Sequence, residues 1–344
     1  MAGELEQDCT ELADVLADVA AGAGRSADVV TLMGRARRIV VTGNGAAYYA
    51  ALTLWTAALQ WPAGPEVVAV PAGALSAGRL TWRPGDLLLV VSSSGELRDV
   101  VTLLAAERDG RGPRPPRPYV LLTTVSTSTL ARTAGACLVV PLRAQRAVTH
   151  TQAYVGNVLS LLLLWQEVAG TGLGLEAHAL PNLVARGLVD ARAWATGLDP
   201  IDVPTAAVAF GAGGGWPAAL ELALLLKEVA GVPAEGMETR EGATSGMYAL
   251  RRGHLVVSVP TATDPYVDET EAVCAATGAQ TLRLPVPPTA SDLVTPITSF
   301  PAALALSSRL GRDAGLDINQ PAWTAAYYRT ARTGPPTSTP EESA

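Results

Sequence analysis

Two short apolar runs in this chain each end in Gly-x-Gly, and each is followed by an Ala- and Leu-rich stretch. The first is Ile39-Val-Val-Thr-Gly43-Asn-Gly45 and the second is Ala206-Ala-Val-Ala-Phe-Gly211-Ala-Gly213. Placing Gly43 on Gly211 also brings Gly45 onto Gly213, Ala51 onto Ala219 and Leu52 onto Leu220. A continuous apolar run closed by turn residues reads as a strand buried on both faces, which is the signature of a parallel sheet. One repeat of such a unit is an internal duplication rather than a solenoid, which needs several shorter repeats. A chain of 344 residues is long for one core and fits two α/β units.

Between and around these runs, strand and helix patterns alternate. Helices are predicted over 46–60, 97–106 and 151–168, and strands over 38–42, 67–70, 87–91, 119–124 and 137–141. In the second half, strands over 254–260 and 280–286 answer 87–91 and 119–124. This alternation predicts an α/β fold of two pseudo-duplicated, doubly wound parallel-sheet subdomains. Leu5, Leu12, Leu16 and Val19 fall on one helical stripe, so 1–33 reads as an N-terminal helix. The first subdomain is then expected over 34–185 and the second over 186–330. Residues 331–344, rich in Pro, Ser, Thr and Glu, read as a disordered tail.

Composition narrows the function classes. Hydrophobic residues make up 49% of the chain, yet the longest stretch free of charge, Gly and Pro is 46–61, which is too short and too polar for a membrane span. The acidic start lacks a basic leader, so a cytoplasmic location is expected and no secretory signal is read. Cys9, Cys137 and Cys274 are widely spaced and read as reduced residues with no metal-ligand pattern; no metal and no cofactor is predicted. A net charge of -7 argues against a nucleic-acid partner, and the Arg35, Arg37, Arg38 cluster reads as a solvated helix end.

The stretch most informative for function is Ser92-Ser-Ser-Gly-Glu96, directly after the apolar run Leu87-Leu-Leu-Val-Val91. Ligands of open α/β sheets bind outside the carboxyl ends of the strands. Hydroxyls and backbone N–H groups there suit a phosphate or a sugar oxygen, although a local helix cap explains Ser equally well. Nicotinamide binding is not expected. The third glycine of the dinucleotide fingerprint is Tyr48 in one copy and Trp216 in the other, and no acidic residue ends the second strand.

Five segments together resemble the sugar isomerase (SIS) domain family. They are Gly43-Asn-Gly45, Ser92-Ser-Ser-Gly-Glu96, Thr149-His-Thr-Gln-Ala-Tyr154, Glu221-Leu-Ala-Leu-Leu-Leu-Lys-Glu228 and Asp317-Ile-Asn-Gln-Pro321. The likeness is to the tandem pair in the isomerase half of glucosamine-6-phosphate synthase and to stand-alone aminosugar isomerase/deaminases and fructosamine deglycases. It implies a turn at Gly43, Asn44 and Gly45 and a hydroxyl loop at Ser92, Ser93 and Ser94 that hold the ligand's polar end. Glu228 matches the carboxylate that shuttles a proton between adjacent sugar carbons, a role suited to a Glu with a raised pKa. Assembly as a homodimer or larger is implied in the same way.

Departures from the family pattern reshape the functional expectation. Gly45 stands where a phosphate-binding Ser or Thr is usual, and Leu97 stands where the serine loop usually ends in Thr. Arg98 next to it is a candidate replacement by charge. The ring-opening His becomes Ser245, with Glu241 matched just before it, and the imine-forming Lys aligns near Ala326. No cysteine glutaminase segment is read, so glutamine-dependent synthesis is not expected. His150 occupies a position where relatives carry a small Ser, among Thr149 and Gln152 on the same lining segment.

The expected function is therefore a sugar or aminosugar isomerase-type enzyme acting by aldose–ketose or imine–enamine proton transfer. Its candidate catalytic residues are Glu228, His150 and Glu241. The expected ligand is a sugar, sugar phosphate or sugar amine, on a specialised and open-chain or amine-linked substrate. The alternatives are C–N cleavage of a sugar-amine adduct, or a non-catalytic sugar sensor. An ether-cleaving relative is disfavoured by the duplication.

Overall fold

The computed structural model describes residues 3–22, 26–108, 114–170, 172–199 and 201–331. The N-terminal stripe is buried as expected, but it belongs to three helices instead of one: α1 (Glu4–Thr10), α2 (Leu12–Ala20) and α3 (Ala27–Arg35). The backbone flattens at Glu11, Gly22 takes φ 95°, and Ser26 caps α3 by accepting the Val29 N–H. The break at Glu11 also has an electrostatic partner. Asp8 and Glu11 converge on Arg146, each at 3.0 Å, while the backbone N–H groups of Arg146 and Ala147 donate to the Asp8 carboxylate.

The first sheet is built from β1 (Arg38–Thr42), α4 (Ala46–Gln60), β2 (Glu66–Ala69), α5 (Ala72–Ser76), β3 (Asp86–Val91), α6 (Arg98–Arg108), β4 (Val120–Thr123) and β5 (Ala136–Val139). Its strands are all parallel, in the order β2-β1-β3-β4-β5. Arg38 departs from the solvated reading: it is buried and forked onto Asp86, with Nε to Oδ1 at 2.9 Å and Nη2 to Oδ2 at 2.5 Å. That pair locks β1 to β3 at their amino ends, in the register that sets Thr42 beside Val90 at the other.

The helices α7 (Gln152–Ala169) and α8 (Leu180–Gly197) lead into the second sheet. There follow β6 (Ala206–Gly211), α9 (Gly215–Glu228), β7 (Ala234–Glu238), α10 (Thr239–Thr244), β8 (His254–Ser258), α11 (Val267–Ala276) and β9 (Gln280–Arg283). The strand order β7-β6-β8-β9, again parallel, repeats that of the first four strands. The chain closes with α12 (Thr295–Thr298), α13 (Phe300–Asp313) and α14 (Thr324–Ala331). Of the expected tail only Ala331 is described, and it ends α14; the rest lies outside the described residues.

Alternation along the strands assigns each side chain to a layer. In β1 and β3, Ile39, Val41, Leu87, Leu89 and Val91 face α4 and α7, whereas Val40, Leu88 and Val90 face α5 and α6. In the second sheet Ala207 and Ala209 face α9, while Val208 and Phe210 pack with Val267 and Cys274. The inner faces of both sheets share one continuous core through α4, α7, α8, α9 and α13. Trp55 of α4 meets Trp216 of α9 edge-to-face, with ring centroids 5.8 Å apart. The 18-residue α7 is buried from Gln152 to Trp165 by this arrangement, and no described helix is long and apolar enough to cross a membrane.

Candidate active site

A strand order that reverses direction leaves a crevice at the carboxyl ends of the two strands flanking the reversal. In the first sheet those strands are β1 and β3, so the Gly43 turn and the serine loop are set side by side. At Gly43, a Cβ would stand 2.8 Å from the backbone carbon of Ala47, so only glycine lets α4 start so close to the strand. Gly45 sits just before the first turn of α4 at φ 54° and ψ -133°, a geometry that side chains resist. Asn44 is tied down by its Nδ2, which donates to Asp99 Oδ2 at 3.1 Å.

The serine loop is held from behind. The Ser92 N–H donates to the Leu122 carbonyl, and the Ser93 carbonyl accepts from the Thr124 N–H and from the hydroxyls of Thr123 and Thr124. Glu96 anchors the far end by accepting the Thr129 N–H at 2.7 Å. A Cβ on Gly95 would overlap the Ser128 hydroxyl. Ser94 Oγ accepts the Glu96 N–H at 3.2 Å. Ser92 and Ser93 line a cleft of about 120 Å³.

That cleft joins both halves of the chain. Asn44, Gly45, Ala46 and Ala47 line it from β1 and α4, and Ser92, Ser93, Ser94 and Leu97 from the serine loop. His150, Tyr154 and Asn157 come from α7 and the residues before it; Glu221, Leu224 and Glu228 come from α9, and Tyr327 from α14. The structure thus brings together seven of the residues singled out in the sequence: Asn44, Gly45, Ser92, Ser93, Ser94, His150 and Glu228. Gly43 supports this group from the turn.

The other candidates are placed elsewhere. Arg98 opens α6 and Thr149 is buried beside His150, and neither lines the cleft. The Gln152 amide is engaged on the protein itself: its Oε1 accepts the Arg143 N–H, and its Nε2 donates to Asp8 and Glu11. Glu241 and Ser245 are exposed at α10 and its end. Gly242 of that helix packs on Phe210 and Thr270, which places α10 on the face of the second sheet opposite α9.

Two carboxyls dominate the electrostatics. Burial pushes the Glu228 carboxyl up to about 7, against a downward pull from Lys227 beside it. Glu221 is pushed well above the usual carboxylate range by burial and by the charge of Glu228. Burial and the same Glu221 also raise the Tyr154 phenol. His150 Nδ1 lies 3.3 Å from Gln145 Nε2, which orients the ring at the cleft. The Glu228 carbonyl accepts the Trp323 indole N–H at 3.2 Å, tying the end of α9 to the segment that carries Tyr327.

Glu221, Tyr154, Asn157 and Tyr327 were not singled out from the sequence. The signal for the first was the spacing of two Glu seven positions apart in an Ala/Leu helix, which stacks them on one face. For Tyr154 and Asn157 it was two polar groups at i and i+3 within an otherwise apolar run.

The second copy of the turn is closed. A Cβ on Gly213 would stand 2.7 Å from Asp292 Oδ2, and one on Gly214 would overlap the Asp292 carbonyl. The Asp292 carboxylate also accepts from the Thr263 hydroxyl at 2.8 Å and from Gln60 Nε2 at 3.4 Å. A larger cavity of about 510 Å³ lies among α1, α8 and α13. Its walls mix Leu, Ala, Pro and Ile side chains with Arg309, Arg312 and the Arg192–Glu6 ion pair at 2.9 Å, and it offers no convergent acid–base pair.

Residues 32–168 match the SIS domain family model. Glutamine–fructose-6-phosphate aminotransferase (isomerizing) of Pyrobaculum aerophilum is 26% identical over 235 residues, which cover 65% of this chain and 37% of that protein. The chain thus spans little more than a third of that relative's length. Among solved structures, glucosamine-6-phosphate deaminase from Thermotoga maritima superposes with a TM-score of 0.77 at 18% identity, covering 93% of this chain and 97% of that one. The C-terminal domain of glucosamine-fructose-6-phosphate aminotransferase from Francisella tularensis does so with a TM-score of 0.77 at 17% identity, over 93% and 99%. The second half of the chain, although it repeats the strand order, lies outside the residues matched by the family model. Residues 32–168 are similar to the SIS domain family, and the chain as a whole shares the fold of these two structures.

Proposed function

We propose that the chain is a sugar isomerase-type enzyme that moves a proton between adjacent carbons of an open-chain sugar or sugar amine, with Glu228 as the base. The observation that carries this reading is a carboxyl with a pKa of about 7 at a cleft built from a hydroxyl loop and a helix start. A base tuned to the working pH combines adequate deprotonation with adequate driving force. The carboxylate takes the proton from the carbon next to the carbonyl, and the C–H electron pair becomes the C=C bond of an enediol. The former carbonyl oxygen is protonated by an acid group, and Glu228 then returns its proton to the former carbonyl carbon. The hydroxyl on the carbon that lost its proton gives its own proton back to the acid group and becomes the new carbonyl. His150, on the same cleft, serves as that acid group. Ser92, Ser93 and the first N–H groups of α4 bind the ligand's polar end.

The same first step begins C–N cleavage of a sugar-amine adduct, the second reading. Its support is the absence of Lys and Arg from the cleft lining among the described residues, which gives a phosphate no cationic partner there. The activities of the two named relatives, fructose-6-phosphate amination and glucosamine-6-phosphate deamination, fit both readings. The deciding experiment follows deuterium uptake by proton NMR in D2O with aldoses, ketoses, their 6-phosphates, 2-amino sugars and glycated amino acids. Exchange at the carbon next to the carbonyl or imine that vanishes in Glu228→Gln supports the base. Ligand-induced thermal stabilisation with no exchange on any compound overturns it in favour of a sugar sensor.

A further inference from the structure

The floor of the cleft holds three polar atoms for which the protein supplies no partner: the Tyr154 hydroxyl, the Asn157 Oδ1 and the Glu221 Oε2. Their residues are 1%, 1% and 3% exposed, and all three line the cleft. Buried polar atoms in folded proteins are nearly always hydrogen-bonded, so three orphans converging on one cavity mark a place for a ligand. Asn157 Oδ1 and Glu221 Oε2 offer acceptor lone pairs, as does the phenol oxygen of Tyr154. A sugar hydroxyl donates one proton and satisfies one of them. An ammonium carries three donors and satisfies all three.

The charge balance agrees with this donor count. Glu221 and Glu228 both belong to the cleft, and among the described residues no Lys or Arg lines it. An unpaired buried carboxyl is costly, and a ligand cation is the partner that removes that cost. We propose that Tyr154, Asn157 and Glu221 form a subsite for a protonated amine carried by the ligand. The subsite rests on the reading of this cleft as the sugar site, and it assigns the amine to the α7–α9 floor, away from the serine loop. The titratable groups around it are Glu228 on α9, Tyr49 on α4, His150 before α7 and Tyr327 on α14.

Isothermal titration calorimetry at pH 6 with matched pairs tests the subsite: D-glucosamine against D-glucose, and 1-amino-1-deoxy-D-fructose against D-fructose. The expected result is at least tenfold tighter binding of the amino member by the wild-type protein. In Glu221→Gln, which keeps the side-chain volume, the preference should fall below threefold while binding of the hydroxyl member is retained. Equal binding of both members by wild type, or a preference that survives in Glu221→Gln, overturns the subsite and leaves the sugar reading standing. If no member of either pair binds wild type, both fall together.

Discussion

The Glu228 carboxyl ties burial to reactivity and to stability at once. Its proton is held until about pH 7 in the fold, against an ordinary value of 4.5. As pH rises through 7 the base becomes available, so kcat/KM should climb with an ascending limb near that pH. Glu228→Gln should lower kcat by about 10²- to 10⁴-fold while ligand still binds. A variant that retains wild-type turnover would remove Glu228 from the mechanism. The stability effect runs in the other direction. Between pH 4.5 and 7 the unfolded chain gives up this proton while the folded chain keeps it, so the fold loses stability as pH rises across that window. The loss approaches about 3 kcal/mol above pH 7. In thermal melts Glu228→Gln should therefore match wild type near pH 4 and exceed it at pH 8; a gap that does not widen with pH would contradict the burial argument. Glu228 and the three serines were legible in the sequence because they sit in contiguous patterns. Tyr154, Asn157 and Glu221 were not, because the cavity that their residues line exists only once α7 and α9 are both packed against α4.

Among the elements, the strands were the easiest to read and the N-terminal helices the hardest. Runs such as Leu87-Leu-Leu-Val-Val91 have one physical solution, burial on both faces. The edge strand β7 had no such signal: Ala234-Glu-Gly-Met-Glu238 carries two charges and a central glycine, and backbone pairing with β6 makes it a strand. The N-terminal stripe was periodic across Glu11, so periodicity alone could not place the break that the Asp8–Glu11–Arg146 clasp accompanies. This clasp anchors α1 to the segment that leads to Gln145 and His150. Asp8→Ala strands the backbone N–H groups of Arg146 and Ala147, and should cost about 1–3 kcal/mol. The same variant should reduce turnover more than it reduces binding at the serine loop, since it frees His150 and leaves Ser92 untouched. Unchanged melting and unchanged kcat would show the clasp to be dispensable.

For the molecule entire, the duplication was legible because two turns of identical spacing opened two similar helices. What the repeat did not convey is that both inner sheet faces drain into a single core. Leu222 and Leu226 of α9 are part of the same packed cluster as Leu54 of α4 and Leu161 of α7. Thermal unfolding should accordingly be one cooperative transition, with fluorescence and circular dichroism traces superimposing; two separated transitions would mean that the halves hold themselves together independently.

Duplication ordinarily doubles a receptor's capacity, yet this chain carries its own antagonist for the second copy. With the Asp292 carboxylate lodged at the Gly213 turn and held by Thr263 and Gln60, the second turn is filled by the chain's own side chain. Titration of an accepted sugar should therefore saturate at a stoichiometry of one per chain, and a value of two would require Asp292 to swing away. The side chain that plugs the second turn acts as a keystone there, while α9, which starts from that turn, brings Glu221 and Glu228 to the first sheet's cleft.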